Sequence, residues 1–171
     1  SSDVCSSDLV WYKPPGLMSS GSRFGDHFAI DRQIEKQLGF GCYLVHRLDR
    51  AASGVMVVAH NKRTAANLAA QFESQHATKQ YWVEVMGHPH PAGLIQMPVD
   101  GKAATTHYEV IERRAESAVL CVTIETGRRH QIRQHMAEQG WPVKGDNLYG
   151  NGDAEDAVHL IAWHLCIRSE E

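Results

Sequence analysis

Between His46 and Ala59 the chain passes from a charged turn, HRLDRAASG, straight into an apolar run, VMVVA. No other junction constrains the fold as much. A short run rich in β-branched residues, entered through a polar turn, reads as a buried strand and is far too short to cross a membrane. The turn before it fixes one aspartate between two arginines at the strand's entrance. Alternating or short apolar runs predict further strands over 10–12, 81–86, 105–112, 118–125 and 158–167. Ile30, Ile34 and Leu38 recur every four residues and predict a helix over 28–38. A second helix is expected after a Thr64 cap, with Ala65, Leu68, Ala69 and Phe72 as its apolar stripe. A third is expected over 127–139, ending at Gly140 with Pro142 behind it. Strands outnumber helices and the tight links favour antiparallel pairing, so the expected class is α+β with one sheet.

At 171 residues the chain is about one domain long, and its 43% apolar content is enough for one core. No internal repeat or linker divides it. Lys and Arg number 17 against 20 acidic residues, for a net charge of -3. That excludes a protein coating nucleic acid by bulk charge but leaves room for a local basic groove. No run reads as a membrane span or signal peptide. Cys5, Cys42, Cys121 and Cys166 form no CxxC pair and read as reduced thiols of a cytoplasmic protein. The opening SSDVCSSDL repeats SSD and reads as a non-native leader over 1–9. The domain is then expected over 10–168, a fragment at one or both ends. The Ser/Gly-rich stretch 19–27 is expected to be a mobile loop.

The eleven histidines invite a metal reading. His130 and His135, like His159 and His164, are five apart, a spacing that points helical ligands away from each other, and there is no HExxH. No metal is expected. Gly101-Lys102-Ala103 lacks the frame of a phosphate loop, no GxGxxG follows a strand, and Ser53 lacks the GxSxG elbow. What remains is His46-Arg47-Leu48-Asp49-Arg50. Asp49, flanked by guanidinium groups, is either a structural charge clamp or an ionised nucleophile. A glycoside hydrolase would need a second, protonated carboxylate nearby, and none stands out. The other cluster is Thr126 to His135, TGRRHQIRQH. Arg129 and Arg133 are spaced one helical turn apart near a helix N-terminus, which suits either a solvated basic face, a phosphate grip or a counter-charge for a carboxylate.

Taken in this order, HRLDRAASGVMVVA and GRRHQIRQH resemble the RluA-type pseudouridine synthases, which isomerise uridines of rRNA and tRNA. Further matching blocks are Lys13-Pro14-Pro15-Gly16-Leu17, Lys79-Gln80-Tyr81, Gly101-Lys102-Ala103-Ala104-Thr105 and Gly145-Asp146-Asn147-Leu148-Tyr149-Gly150. The resemblance spans roughly residues 10 to 167. It implies a single catalytic domain with a mixed, mainly antiparallel sheet flanked by helices and loops. It implies that Asp49 drives the isomerisation, that Tyr81 stacks on the target base and assists the late deprotonation at C5, and that Arg133 pairs with the aspartate. Arg47 would help displace the base from its stack, with Ile132 an apolar wall of the pocket. A groove of Arg47, Arg50, Arg128 and Arg129 would meet the phosphates. The atoms that react in a stacked base are inaccessible, so a flipped nucleotide is expected. Isomerisation needs no cofactor and no metal. The expected partner is structured RNA, rRNA or tRNA, bound by a monomer with no membrane contact.

Two departures bear on these expectations. Arg129 stands where the family has Thr or Ser, so Thr126 is expected to cap the helix instead. The segment HLIAWHL departs from the family's Leu-His-Ala pattern, and the strand expected after it is missing. A catalytically impaired RNA-binding relic of the same fold is the competing reading, and a hydrolase using Asp49 a third.

Overall fold

The structure is a computed structural model that describes residues 8–21, 29–74, 76–153 and 155–167. Their contacts group into two compact units, one of residues 8–77 with 165–167, the other of Thr78–His164. The expected leader lies outside the described residues up to position 7, as do 22–28 of the expected loop and the end from Arg168.

In the first unit, β3 (Ser53–Ala59) is the apolar run foreseen after the charged turn. It pairs antiparallel with β1 (Asp8–Lys13) from Asp8↔Ala59 to Lys13↔Gly54, and with β2 (Tyr43–Leu44) at Tyr43↔Ala59 and Leu44↔Val58. Met56, Val58 and Ala59 are fully buried, which is why the strand reads as continuous rather than alternating. β1 starts at Asp8 and takes in Leu9, two residues that the sequence reading sets apart with the leader. Helix α1 (Ile30–Leu38) buries Ile30 and Ile34 and stops at Gly39, whose left-handed φ of 76° lets its amide reach Glu35 O. Helix α2 (Lys62–Glu73) lays Leu68 on Val57 and Ala59. Its cap is Asn61, not Thr64: the Asn61 carboxamide oxygen accepts from the Thr64 amide at 2.9 Å. Asn caps at least as well as Thr, and its earlier position wins.

In the second unit, β4 (Thr78–Met86), β5 (Ala92–Gln96), β6 (Thr105–Arg113) and β7 (Ser117–Ile124) pair antiparallel in the order β4-β7-β6-β5, with β8 (Leu160–Cys166) beside β4. One face is apolar, with Val83, Val85, Ala118, Leu120 and Val122 fully buried. Helix α3 (Gln131–Glu138) buries Ile132 and Met136. The class is α+β, with antiparallel pairing at these ladders. β2 and β5 escape the sequence reading. β2 has only two residues, and β5, AGLIQ, carries little strand propensity. Gly93 stands there because the Tyr108 ring crosses it: a Cβ at 93 would lie 2.6 Å from the Tyr108 hydroxyl oxygen.

The third helix departs most from expectation. It begins at Gln131, four residues later than its spacing suggests, after a turn over 127–130 in which His130 takes a left-handed φ of 54°. Thr126 does not cap it. Instead the Gln131 carboxamide folds back, its oxygen accepting from Thr126 Oγ1 at 2.7 Å and the Arg128 amide at 3.1 Å. Its nitrogen donates to Thr105 O and Thr106 Oγ1. Arg129 therefore lies in the turn, not one helical turn from Arg133.

Candidate active site

Asp49 stands on a turn that the 13–19 segment grips from both sides. Lys13, fully buried at the end of β1, donates through Nζ to the carbonyls of Pro14 (3.0 Å), Leu17 (2.8 Å) and Arg50 (3.3 Å). The Gly16 amide also meets Arg50 O at 2.8 Å, while Arg50 Nε returns a bond to Gly16 O at 2.9 Å. On the other side of Asp49, Ser19 Oγ donates to Leu48 O (2.8 Å) and accepts from the Leu48 amide (3.0 Å). Ser19 is 5% exposed, so this end of the expected mobile loop is instead a buried clasp. His46 Nε2 accepts from the Val57 amide at 2.9 Å, and its ring stacks on Phe72. A turn tied at 46, 48 and 50 leaves the Asp49 backbone little freedom, one condition for a preorganised side chain.

Neither neighbouring arginine clamps that carboxylate. Arg50 spends its Nε on Gly16 O, and Arg47 is exposed, without an ion pair among the described residues. The buried Lys13 feels the Asp49 charge: burial pushes the lysine's pKa down to about 8, against the opposing pull of Asp49.

In the second unit Tyr81 is half-buried on β4, opposite the buried Val122. Ile132 and Arg133 are buried in the first turn of α3; Arg128 and Arg129 are exposed in the turn before it. Arg128 Nε donates to Ala103 O at 3.1 Å. Arg133 has a partner that the sequence reading misses. Its Nε and Nη2 make two parallel bonds of 2.7 Å to the Asp146 carboxylate, with Arg133 4% exposed and Asp146 not at all. The Asp146 Oδ1 also accepts from the amides of Leu148 and Tyr149. Burial opposes ionisation of Asp146, but the Arg133 bonds and these amides outweigh it and hold its carboxyl below the ordinary value. The Arg133 guanidinium lies over the Tyr149 ring, and the Tyr149 hydroxyl meets His130 Nδ1 at 3.0 Å. The GDNLYG block carried the signal for Asp146, but local sequence gives no hint of which distant arginine it serves.

Asp146 is held in turn. A Cβ at Gly145, whose φ is 78°, would collide with Ala157 O, so only glycine fits. The adjoining Lys144 donates its amide to Glu84 O and its Nζ to Glu84 Oε1. Glu84, buried on β4, also receives Ser117 Oγ, Arg114 Nη1 and His159 Nδ1 at 2.8 to 3.0 Å. Burial alone would raise its pKa; these four donors bring it down to about 2.

The open groove of about 550 Å³ beside Gln80, His107 and Thr123 lies on the sheet face that carries Gln80, opposite that of Tyr81. Among the described residues no group of His, Cys, Asp and Glu could hold a metal, and no helix is long and apolar enough to cross a membrane.

Comparison with known proteins places this arrangement. Residues 8–138 match the family model described as RNA pseudouridylate synthase. The chain is 37% identical over 174 residues to the dual-specificity RNA pseudouridine synthase RluA of Escherichia coli K12, covering 91% of this chain and 79% of that protein. It is 34% identical to the protein of that name from Vibrio vulnificus, covering 85% of this chain and 67% of that one. Among solved structures, human RNA pseudouridylate synthase domain containing 1 superposes with a TM-score of 0.81 at 25% identity, covering 94% of this chain and 75% of that one. The aspartate turn, the tyrosine strand and the arginine helix thus belong to a chain of the RluA-type RNA pseudouridine synthase family.

Proposed function

We propose that this isomerase converts specific uridines of rRNA or tRNA to pseudouridine through the carboxylate of Asp49. The observation that carries this reading is the turn around Asp49, whose backbone is tied on either side by Ser19, Lys13 and Gly16. A turn held that firmly at the entrance of a buried strand presents its aspartate from a fixed backbone. The reaction breaks the N1–C1' bond, turns the uracil within the site, joins C5 to C1', takes up a proton at N1 and passes the C5 proton to solvent. Tyr81 stacks on the flipped base and assists that last proton transfer. Arg133, braced by Asp146, supplies a fixed positive charge that orients the reacting carboxylate, and Ile132 walls the pocket. Arg47 helps turn the nucleotide out, while Arg50, Arg128 and Arg129 meet phosphates. The enzyme works in the cytoplasm as a monomer, without cofactor or metal. Release of tritium from RNA containing 5-tritiated uridine tests the reaction, and reverse-transcription mapping of pseudouridines in cells with and without the gene names the target. Absence of tritium release from both rRNA and tRNA substrates would overturn the reading.

A further inference from the structure

Lys79 stands two residues before Tyr81 on β4, so both side chains leave the same face of the strand; their cross-strand partners Ile124 and Val122 are both buried. The lysine is half-buried, and burial pulls its pKa below the ordinary value. Among the described residues no hydrogen bond or ion pair reaches its ammonium group. The contrast with two other lysines is sharp: Lys13 spends its ammonium on three carbonyls, and Lys144 spends its own on Glu84. Lys79 Nζ comes up beside Gly127, 3.8 Å from where a Cβ would stand. Gly127 is exposed and opens the turn that carries the exposed Arg128 and Arg129, so the ammonium is reachable from solvent at that point.

A partly desolvated cation without a partner costs folding free energy unless a ligand completes it. We propose that Lys79 binds a phosphodiester of the RNA strand next to the nucleotide that Tyr81 receives. A neutral base carbonyl would offset little of a full charge. A phosphate offsets it, and a compact ammonium on a flexible stem suits phosphate without demanding a planar match. This rests on the isomerase reading for the role of Tyr81, but the anion site itself does not.

The test uses the full chain, an unmodified tRNA transcript carrying 5-tritiated uridine, and the variants Lys79→Met and Lys79→Arg. Lys79→Met keeps the apolar stem and removes the charge. Binding followed across a potassium chloride series should show a log–log slope shallower by about 0.7 to 0.9 in Lys79→Met, the signature of one lost phosphate contact. KM should rise on the order of tenfold while tritium release at saturating RNA stays within about twofold; Lys79→Arg should restore the slope. Without RNA, Lys79→Met should melt no lower than the parent chain, because an unpartnered charge has been removed. An unchanged slope, a lower melting temperature, or lost turnover at saturating RNA with the slope intact would each overturn the proposal. If the parent chain binds RNA but releases no tritium, the isomerase reading fails, and the slope still decides the phosphate site.

Discussion

Asp49→Asn keeps the shape of the side chain and removes its charge and nucleophilicity. If Asp49 carries the chemistry as proposed, tritium release should fall by at least about four orders of magnitude while RNA affinity stays within about tenfold, because phosphate contacts supply most of the binding. Clear residual turnover would remove Asp49 from the chemistry. Arg133 invites a different measurement. With Asp146 fully buried beneath it, Arg133→Ala leaves a carboxylate without its counter-charge, and denaturant unfolding should show a loss of about 3 kcal/mol or more. Replacing both residues by apolar ones of similar size should recover most of that loss, and strict additivity would deny the coupling. Arg133→Lys keeps the charge but not the two-pronged match, so it should be impaired rather than inactive.

At the scale of elements, the 13–19 segment and the 46–50 turn behave as one part. Ser19→Ala removes the side-chain partner of both the Leu48 amide and the Leu48 carbonyl. It should cost about 1 to 3 kcal/mol and lower turnover more than it weakens RNA binding. Equal loss of both would mean that the clasp serves stability alone. The exposed arginines of the two turns predict a salt response despite the net charge of -3: a log–log slope steeper than about -2 if three or more phosphates are met. A flat response would leave these arginines to the fold. The elements differ in how openly the sequence announces them. HRLDR followed by VMVVA declares both its turn and its strand, because an apolar run that short has one good use. The start of α3 is concealed, because Gln131 closes the helix from inside its first turn and leaves Thr126 and Arg129 outside it. Asp146 is concealed too, since its pairing with Arg133 joins residues whose chain neighbourhoods carry no common periodicity. The lysine of KPPG looks like a solvated charge until its three carbonyl partners are seen.

For the whole molecule the acid limb of stability should depend on Glu84. Its folded pKa of about 2 lies below the value near 4.3 expected of an unfolded glutamate, so its contribution is complete above the unfolded value and is lost as pH falls toward 2. Melting temperatures of the parent chain and Glu84→Gln, taken from pH 6 down to about 2, should converge as the pH drops. Curves that stay parallel would show that Glu84 is not the titrating group. Asp146 titrates in the same direction, so acid should weaken the two carboxylate-centred networks together and loosen the Lys144-Gly145-Asp146 segment between them.

The clasp also carries a kinetic meaning. Ser19 and Leu48 exchange bonds across a separation of 29 residues, and Lys13 reaches Arg50 across 37. Neither partner can open alone. In native-state hydrogen exchange the amides of Gly16 and Leu48 should therefore lose protection in a single event, at one shared opening free energy, although one lies beside the first strand and the other before the third. If Asp49 reacts as proposed, its turn is ordered only while β1 stays docked, and a transient release of that strand would stop turnover without unfolding the domain.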